Sequence, residues 1–163
     1  MRLHWLIALS VAFAATISGC ADGAPAGRPT AKVALTRSGA CGDAFFWAVT
    51  GTGELAVTVS VEARDRSTDG PTTLRFELPD DRVSVAVLRG SKLARNLCTD
   101  DLDTGAQPES TGAPTAGNVT ITLDPSTGCG TTDGSLRVDG LTGDGIAFAP
   151  IAVTSDSIGC FSG

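Results

Sequence analysis

The chain has 163 residues, a formal net charge of −6 at pH 7, five cysteines, one histidine and no tyrosine. The acidic balance argues against nucleic acid and against docking on anionic headgroups through basic patches. The single histidine is His4, so chemistry that needs imidazole (Ser-His-Asp or Cys-His catalysis, His-ligated zinc, blue copper) has no residue to use beyond that position.

Residues Met1 to Gly19 read as an export signal: Arg2 supplies a positive charge, and "LIALSVAFAATI" (Leu6 to Ile17) is an apolar core of the length such signals use. The run is too short for a transmembrane helix, which needs about 20 predominantly apolar residues. It ends in Ile17-Ser18-Gly19-Cys20, which resembles the lipobox of bacterial lipoproteins: an aliphatic residue, two small residues, then the cysteine. The resemblance is confined to this N-terminal segment. It implies that Cys20 becomes the first residue of the mature protein and carries a diacylglycerol on its sulfur, often with a further acyl chain, such as palmitate, on its amine. Cleavage near Ala14 or Ala15 would instead leave Cys20 a plain thiol. Two acyl chains anchor stably where one is marginal. Lipidation also leaves four cysteines able to pair. With Arg2 removed, 11 Lys and Arg face 18 Asp and Glu, a net charge of about −7.

Residues 20–32, rich in Ala, Gly and Pro, read as a flexible tether with an r.m.s. reach of roughly 20 Å. Residues 33–163 then suit a single domain. "VALTR" (Val33, Leu35) is a short first strand, and "AFFWAV" is a second with Phe45, Trp47 and Val49 inward. The clearest alternation is "ELAVTVSVEAR", with Leu55, Val57, Val59, Val61 and Ala63 on one face. "TTLRFELP" (Leu74, Phe76, Leu78), "RVSVAVL" (Val83, Val85, Val87) and "NVTITL" (Val119, Ile121, Leu123) repeat the pattern. "SLRVDGL" (Leu136, Val138) and "GIAFAPIAV" (Ile146, Phe148, Ile151, Val153) follow, separated by the turn Thr142-Gly143-Asp144-Gly145. The inward parity switches at Pro150, as at a bulge or an edge strand.

No segment has sustained helical periodicity. The fold class is therefore all-β, an antiparallel β-sandwich of about seven or eight short strands. An immunoglobulin-like architecture fits the count. Kinship does not follow, because Trp47 stands only six residues after Cys41 rather than between two bridged cysteines. Cys41, Cys98, Cys129 and Cys160 are spread singly with no C-x-x-C pair, which disfavours a thiolate metal site. In an oxidising compartment they read as two disulfides. Of the three pairings open to four cysteines, Cys41–Cys160 would staple the ends of the domain and Cys98–Cys129 would brace the long polar segment between them. That pairing is the expectation.

Three features bear on function. The aromatic run Phe45-Phe46-Trp47 could form a stacking platform, but filling an aromatic-poor core is the default, with Phe46 partly covered by a loop. "CTDDLDTG" opens with the spacing of a calcium loop. It departs from the EF-hand pattern at Gly105, Ala106 and Gly112, so a solvated acidic turn is expected at Asp100, Asp101 and Asp103. The polar stretch Thr99 to Gly117 is long for a structureless loop, and with Asp100, Asp101, Asp103 and Glu109 it is the candidate interaction loop.

No nucleophile motif accompanies Lys32 or Lys92, so no catalytic residue, cofactor or resident metal is expected. The reading is a lipid-anchored, outward-facing binding module of the cell envelope, with an envelope protein or a glycan as partner. A carboxylate-dependent glycan hydrolase and a purely structural envelope component are the alternatives.

Overall fold

The structure, a computed structural model, describes residues 31–62, 69–125 and 130–159. The expected signal, Cys20, all but the last two tether positions, Ala63, Cys129 and Cys160 lie outside the described residues. Among the described residues the chain forms β1 (Arg37–Cys41), β2 (Phe45–Val49), β3 (Leu55–Val61), β4 (Thr72–Leu78), β5 (Val83–Gly90), β6 (Pro108–Gly112), β7 (Pro114–Leu123), β8 (Thr132–Gly143), β9 (Ile146–Ala147) and β10 (Ile151–Ile158). Two 3-10 turns, Leu93–Arg95 and Thr104–Ala106, lie between β5 and β6.

The strands form two sheets in the orders β1-β2-β3-β5-β6 and β10-β8-β7-β4, with β9 beside β8. All strand pairs are antiparallel. The architecture is thus all-β in two sheets, consistent with the expected sandwich. The chain crosses between sheets after β3, β4 and β6. β1 packs against β10.

Alternation explains the core. Side chains two apart on a strand share a face, so Leu55, Val57, Val59 and Val61 of β3 pack with Phe76 and Leu78 of β4, Val119, Ile121 and Leu123 of β7, and Leu136 and Val138 of β8. Each fully buried aliphatic or aromatic side chain contributes about 1.5–3 kcal/mol. The parity change at Pro150 falls between β9 and β10, and Phe148, Ile151 and Val153 all reach the core. β8 runs on past Gly140, whose φ is 65°, and Leu141 joins the core beyond it.

Four expectations need correction. In β2 the inward residues are Phe46 and Ala48, whereas Trp47 and Val49 point outward. A continuous apolar run carries no alternation to read, and a one-residue shift moves every side chain to the other face. The first strand is Arg37–Cys41, while Val33 makes only an isolated parallel bridge to Phe148.

The disulfide also differs. Cys41 is bonded to Cys98 with a Cα–Cα separation of 5.7 Å, which rules out both Cys41–Cys160 and Cys98–Cys129. Cys41 faces outward at the end of β1, and the β5–β6 connection that carries Cys98 folds back over that same outer face. Finally, Thr99 to Gly117 is not a structureless loop: it holds a 3-10 turn, the edge strand β6 and the start of β7.

Candidate binding face

The two sheets present very different outward faces. On the first sheet, Val49, Ala56 and Leu88 stand opposite one another on β2, β3 and β5. This row is apolar and would be left in water. Leu93 of the β5–β6 connection covers it, buried with Val49 and Ala56 while Trp47, Leu88, Ala94 and Leu97 pack around them.

Backbone and side chains hold this cover down. Leu93 N–H donates to the Gly53 carbonyl at 3.0 Å. Asn96 donates through Nδ2 to the carbonyl of Asp103 at 2.8 Å and accepts the Asp103 N–H through Oδ1 at 2.8 Å. Arg95 pairs with the Asp103 carboxylate at 2.9 Å. The Arg95 guanidinium, helped by the Gly105 N–H, holds the Asp103 carboxyl below the usual carboxylate range. The Cys41–Cys98 bond ties the far end of the cover to β1.

Trp47 lies over Gly39, its register partner on β1. A Cβ at position 39 would stand 2.8 Å from the indole ring, so only glycine permits this approach. The indole Nε1 is buried without an acceptor among the described residues. The aromatic run therefore supplies one core residue, Phe46, and one residue beneath the cover, Trp47, rather than an exposed platform.

The outer face of the second sheet has no such cover among the described residues. Register places Thr73, Thr122, Ser135 and Thr154 in one row across β4, β7, β8 and β10, and the Thr73 and Thr122 hydroxyls are 3.3 Å apart. The adjacent row is Arg75, Thr120, Arg137 and Ala152. Arg137 is held by Asp139 in a bidentate pair at 2.6 and 2.8 Å.

Beyond the hydroxyl row the face dips into a groove of about 560 Å³, lined by Thr122, Asp124, Asp133, Gly134, Ser135, Thr154, Ser155 and Asp156. Asp133 and Asp156 are exposed and Asp124 is half-buried. The Asp156 carboxylate accepts from the Ser157 hydroxyl at 2.9 Å. The carboxylates of Asp124 and Asp133 have no protein partner among the described residues, and no Lys or Arg lines the groove. Chemically the groove offers strong acceptors beside hydroxyls that both donate and accept.

The expected site residues do not come together. Asp103 is committed to Arg95 and to Gly105. Asp100 and Asp101 are exposed in the connection, with the Asp101 N–H on the Thr99 hydroxyl, and Glu109 is exposed on β6. Among the described residues no group of three or more His, Cys, Asp or Glu side chains is placed to hold a metal ion. The groove residues carry no motif, and the one sequence signal for them is the polar half of each alternating strand, Thr122 in β7 or Asp133 and Ser135 in β8. Searches against family models, curated proteins and solved structures find no match for the chain.

Proposed function

We propose that this chain is a lipid-anchored, extracytoplasmic binding module of the bacterial envelope, acylated at Cys20, that docks a hydroxyl-rich glycan on the outer face of its second sheet. The observation that carries the reading is the groove in which the carboxylates of Asp124 and Asp133, without a partner among the described residues, sit beside the hydroxyls of Thr122, Ser135 and Thr154. Sugar hydroxyls donate to carboxylates through charge-assisted bonds, which are shorter and stronger than neutral ones. Among the described residues no Lys or Arg lines the groove, which disfavours anionic polymers. Within this reading the domain is immunoglobulin-like only in the loose sense of two facing antiparallel sheets. A tether with a reach of roughly 20 Å would present the face to polymers close to the membrane.

The test uses the full acylated protein in detergent, titrated with neutral envelope polysaccharide. Binding should be lost in Asp133→Asn/Ser135→Ala with the fold intact by circular dichroism. Undiminished binding by that variant would remove the groove from the reading, and absence of binding by the wild type would end the glycan assignment. The anchor is tested separately: Cys20→Ala should leave the membrane fraction and lose its lipid label.

A hydrolase is the second reading, because three carboxylates surround one groove and glycoside hydrolysis needs two. Against it, a general acid is held protonated by a desolvated position, and Asp133 and Asp156 are exposed. Release of new reducing ends from the same polysaccharide would favour hydrolysis over binding.

A further inference from the structure

We infer that the Cys41–Cys98 disulfide is a redox-sensitive latch, which a dithiol opens to uncover Trp47 while the two sheets stay folded. Register places three rows side by side on the outward face of β1 and β2: Arg37 with Val49, Gly39 with Trp47, and Cys41 with Phe45. The β5–β6 connection begins over the first row, where Leu93 is buried with Val49, and reaches the third at Cys98, which is bonded to Cys41. It therefore crosses the Trp47 row between them. Its hydrogen bonds to the β2–β3 turn sit at the near end, from the Gly90 N–H to the Glu54 carbonyl at 3.1 Å and from the Leu93 N–H to the Gly53 carbonyl at 3.0 Å. Those of Arg95 and Asn96 with Asp103, and of Asn96 with Ala106, stay within the connection. At the far end the covalent tie is the disulfide.

Two features favour opening once that bond is cut. Cys98 has a φ of 64° and Lys92 a φ of 57°, so a left-handed non-glycine residue stands at each end of the cover. Such backbone is costly, persists only where its surroundings impose it, and gathers at switch regions. The Trp47 Nε1 is a buried donor without an acceptor among the described residues, an unfavourable state that water relieves when the cover lifts. The bond is also open to attack. Cys98 is exposed whereas Cys41 is half-buried, and exposed disulfides are the labile and regulatory ones. One thiolate of the dithiol attacks the Cys98 Sγ and forms a mixed disulfide, Cys41 leaves as a thiolate and takes a proton, and the second thiol then displaces Cys98. The protein disulfide gains two electrons and two protons, and the dithiol becomes a disulfide. The latch lies on the sheet opposite the groove and stands whether or not the groove binds a glycan.

The experiment treats the full folded chain with dithiothreitol, without denaturant, and follows cysteine alkylation and amide hydrogen exchange by mass spectrometry. Cys41 and Cys98 should both become alkylated, and residues 91–107 should lose protection while β3, β5 and β7 keep theirs, as a local opening requires. Oxidised glutathione should then restore the bond and the protection together. A bond that resists the dithiol until denaturant is added overturns the inference. So does reduction that leaves residues 91–107 protected, which makes the bond a staple rather than a latch. Loss of protection in the strands as well also overturns it, because the bond then holds the fold and not the cover alone. In Cys41→Ala/Cys98→Ala the segment should be unprotected from the start and indifferent to dithiothreitol; a response that survives in this variant assigns the opening to another bond and removes the latch.

Discussion

On the outward side of the first sheet Trp47, Val49, Ala56 and Leu88 lie beneath Leu93 and Leu97; on the outward side of the second, Thr73, Arg75, Thr122 and Ser135 meet solvent without a cover among the described residues. Both faces come from strands of period two. They differ in what occupies the outward positions. Apolar residues there would form an exposed patch of the kind that soluble monomers avoid, and the connection between β5 and β6 is long enough to fold back over them. Polar residues need no cover. The polar stretch that looked free for a partner is thus partly spent on roofing one face, and among the described residues the other face is left open to solvent.

Four measurements would break or sharpen this contrast. The largest effect is expected from Cys41→Ala/Cys98→Ala. Its cysteines are separated by 57 positions in sequence, and loop-entropy arguments assign such a bond roughly 4 kcal/mol. Urea unfolding should record that loss, and the fluorescence of Trp47 should shift to the red as the cover loosens. A variant with wild-type stability would mean that the cover is held by packing alone.

Leu93→Ala should cost about 2–5 kcal/mol, the range for truncating a buried leucine, with the same fluorescence change. A loss below 1 kcal/mol, on the order of a surface substitution, would show that Leu93 does not roof the sheet.

The third concerns acid. Asp103 has its folded pKa lowered from 3.8, chiefly by the side-chain bond from Arg95. Its stabilisation is therefore complete above the unfolded value and is lost as pH falls through the lower folded value. Asp80 behaves alike: the Arg82 side chain, bonded at 2.6 Å, brings its pKa from 3.8 to about 2. Acid titration of Asp103→Asn should show a shallower loss of stability below pH 3.8 than the wild type, with the change concentrated in the cover. Identical acid profiles would contradict the role given to the Arg95 pair.

The smallest effect is expected on the bare face. Thr122→Ala and Ser135→Ala should each change stability by no more than about 0.5 kcal/mol, as surface substitutions away from packed features do. Losses comparable to that of Leu93→Ala would show that the hydroxyl row is part of the framework rather than a surface kept for a ligand.

Much of the framework was legible because a half-buried strand writes its burial into alternate positions. Val57, Val59 and Val61, or Val119, Ile121 and Leu123, announce both a strand and its inward face. The edge strands β1, "RSGAC", and β6, "PESTG", carry no such code. They lie at the margins of the sheet, where none of their residues is fully buried and only one neighbour strand dictates their pairing. The groove was not legible because Asp124, Asp133 and Asp156 come from three places in the chain and meet only through the register of β7, β8 and β10.

The amino-acid sequence by itself determined the β class, the inward residues of most strands and the want of imidazole beyond His4, since each follows from residue type or from a local period. Tertiary structure decided the rest. Trp47 could turn outward only because Gly39 pairs opposite it and the connection bearing Leu93 closes above it. Cys41 found Cys98 because that connection folds across the sheet and brings their Cα atoms to 5.7 Å. Disulfide pairing depends on distance in space, and four singly spread cysteines contain no local signal of it.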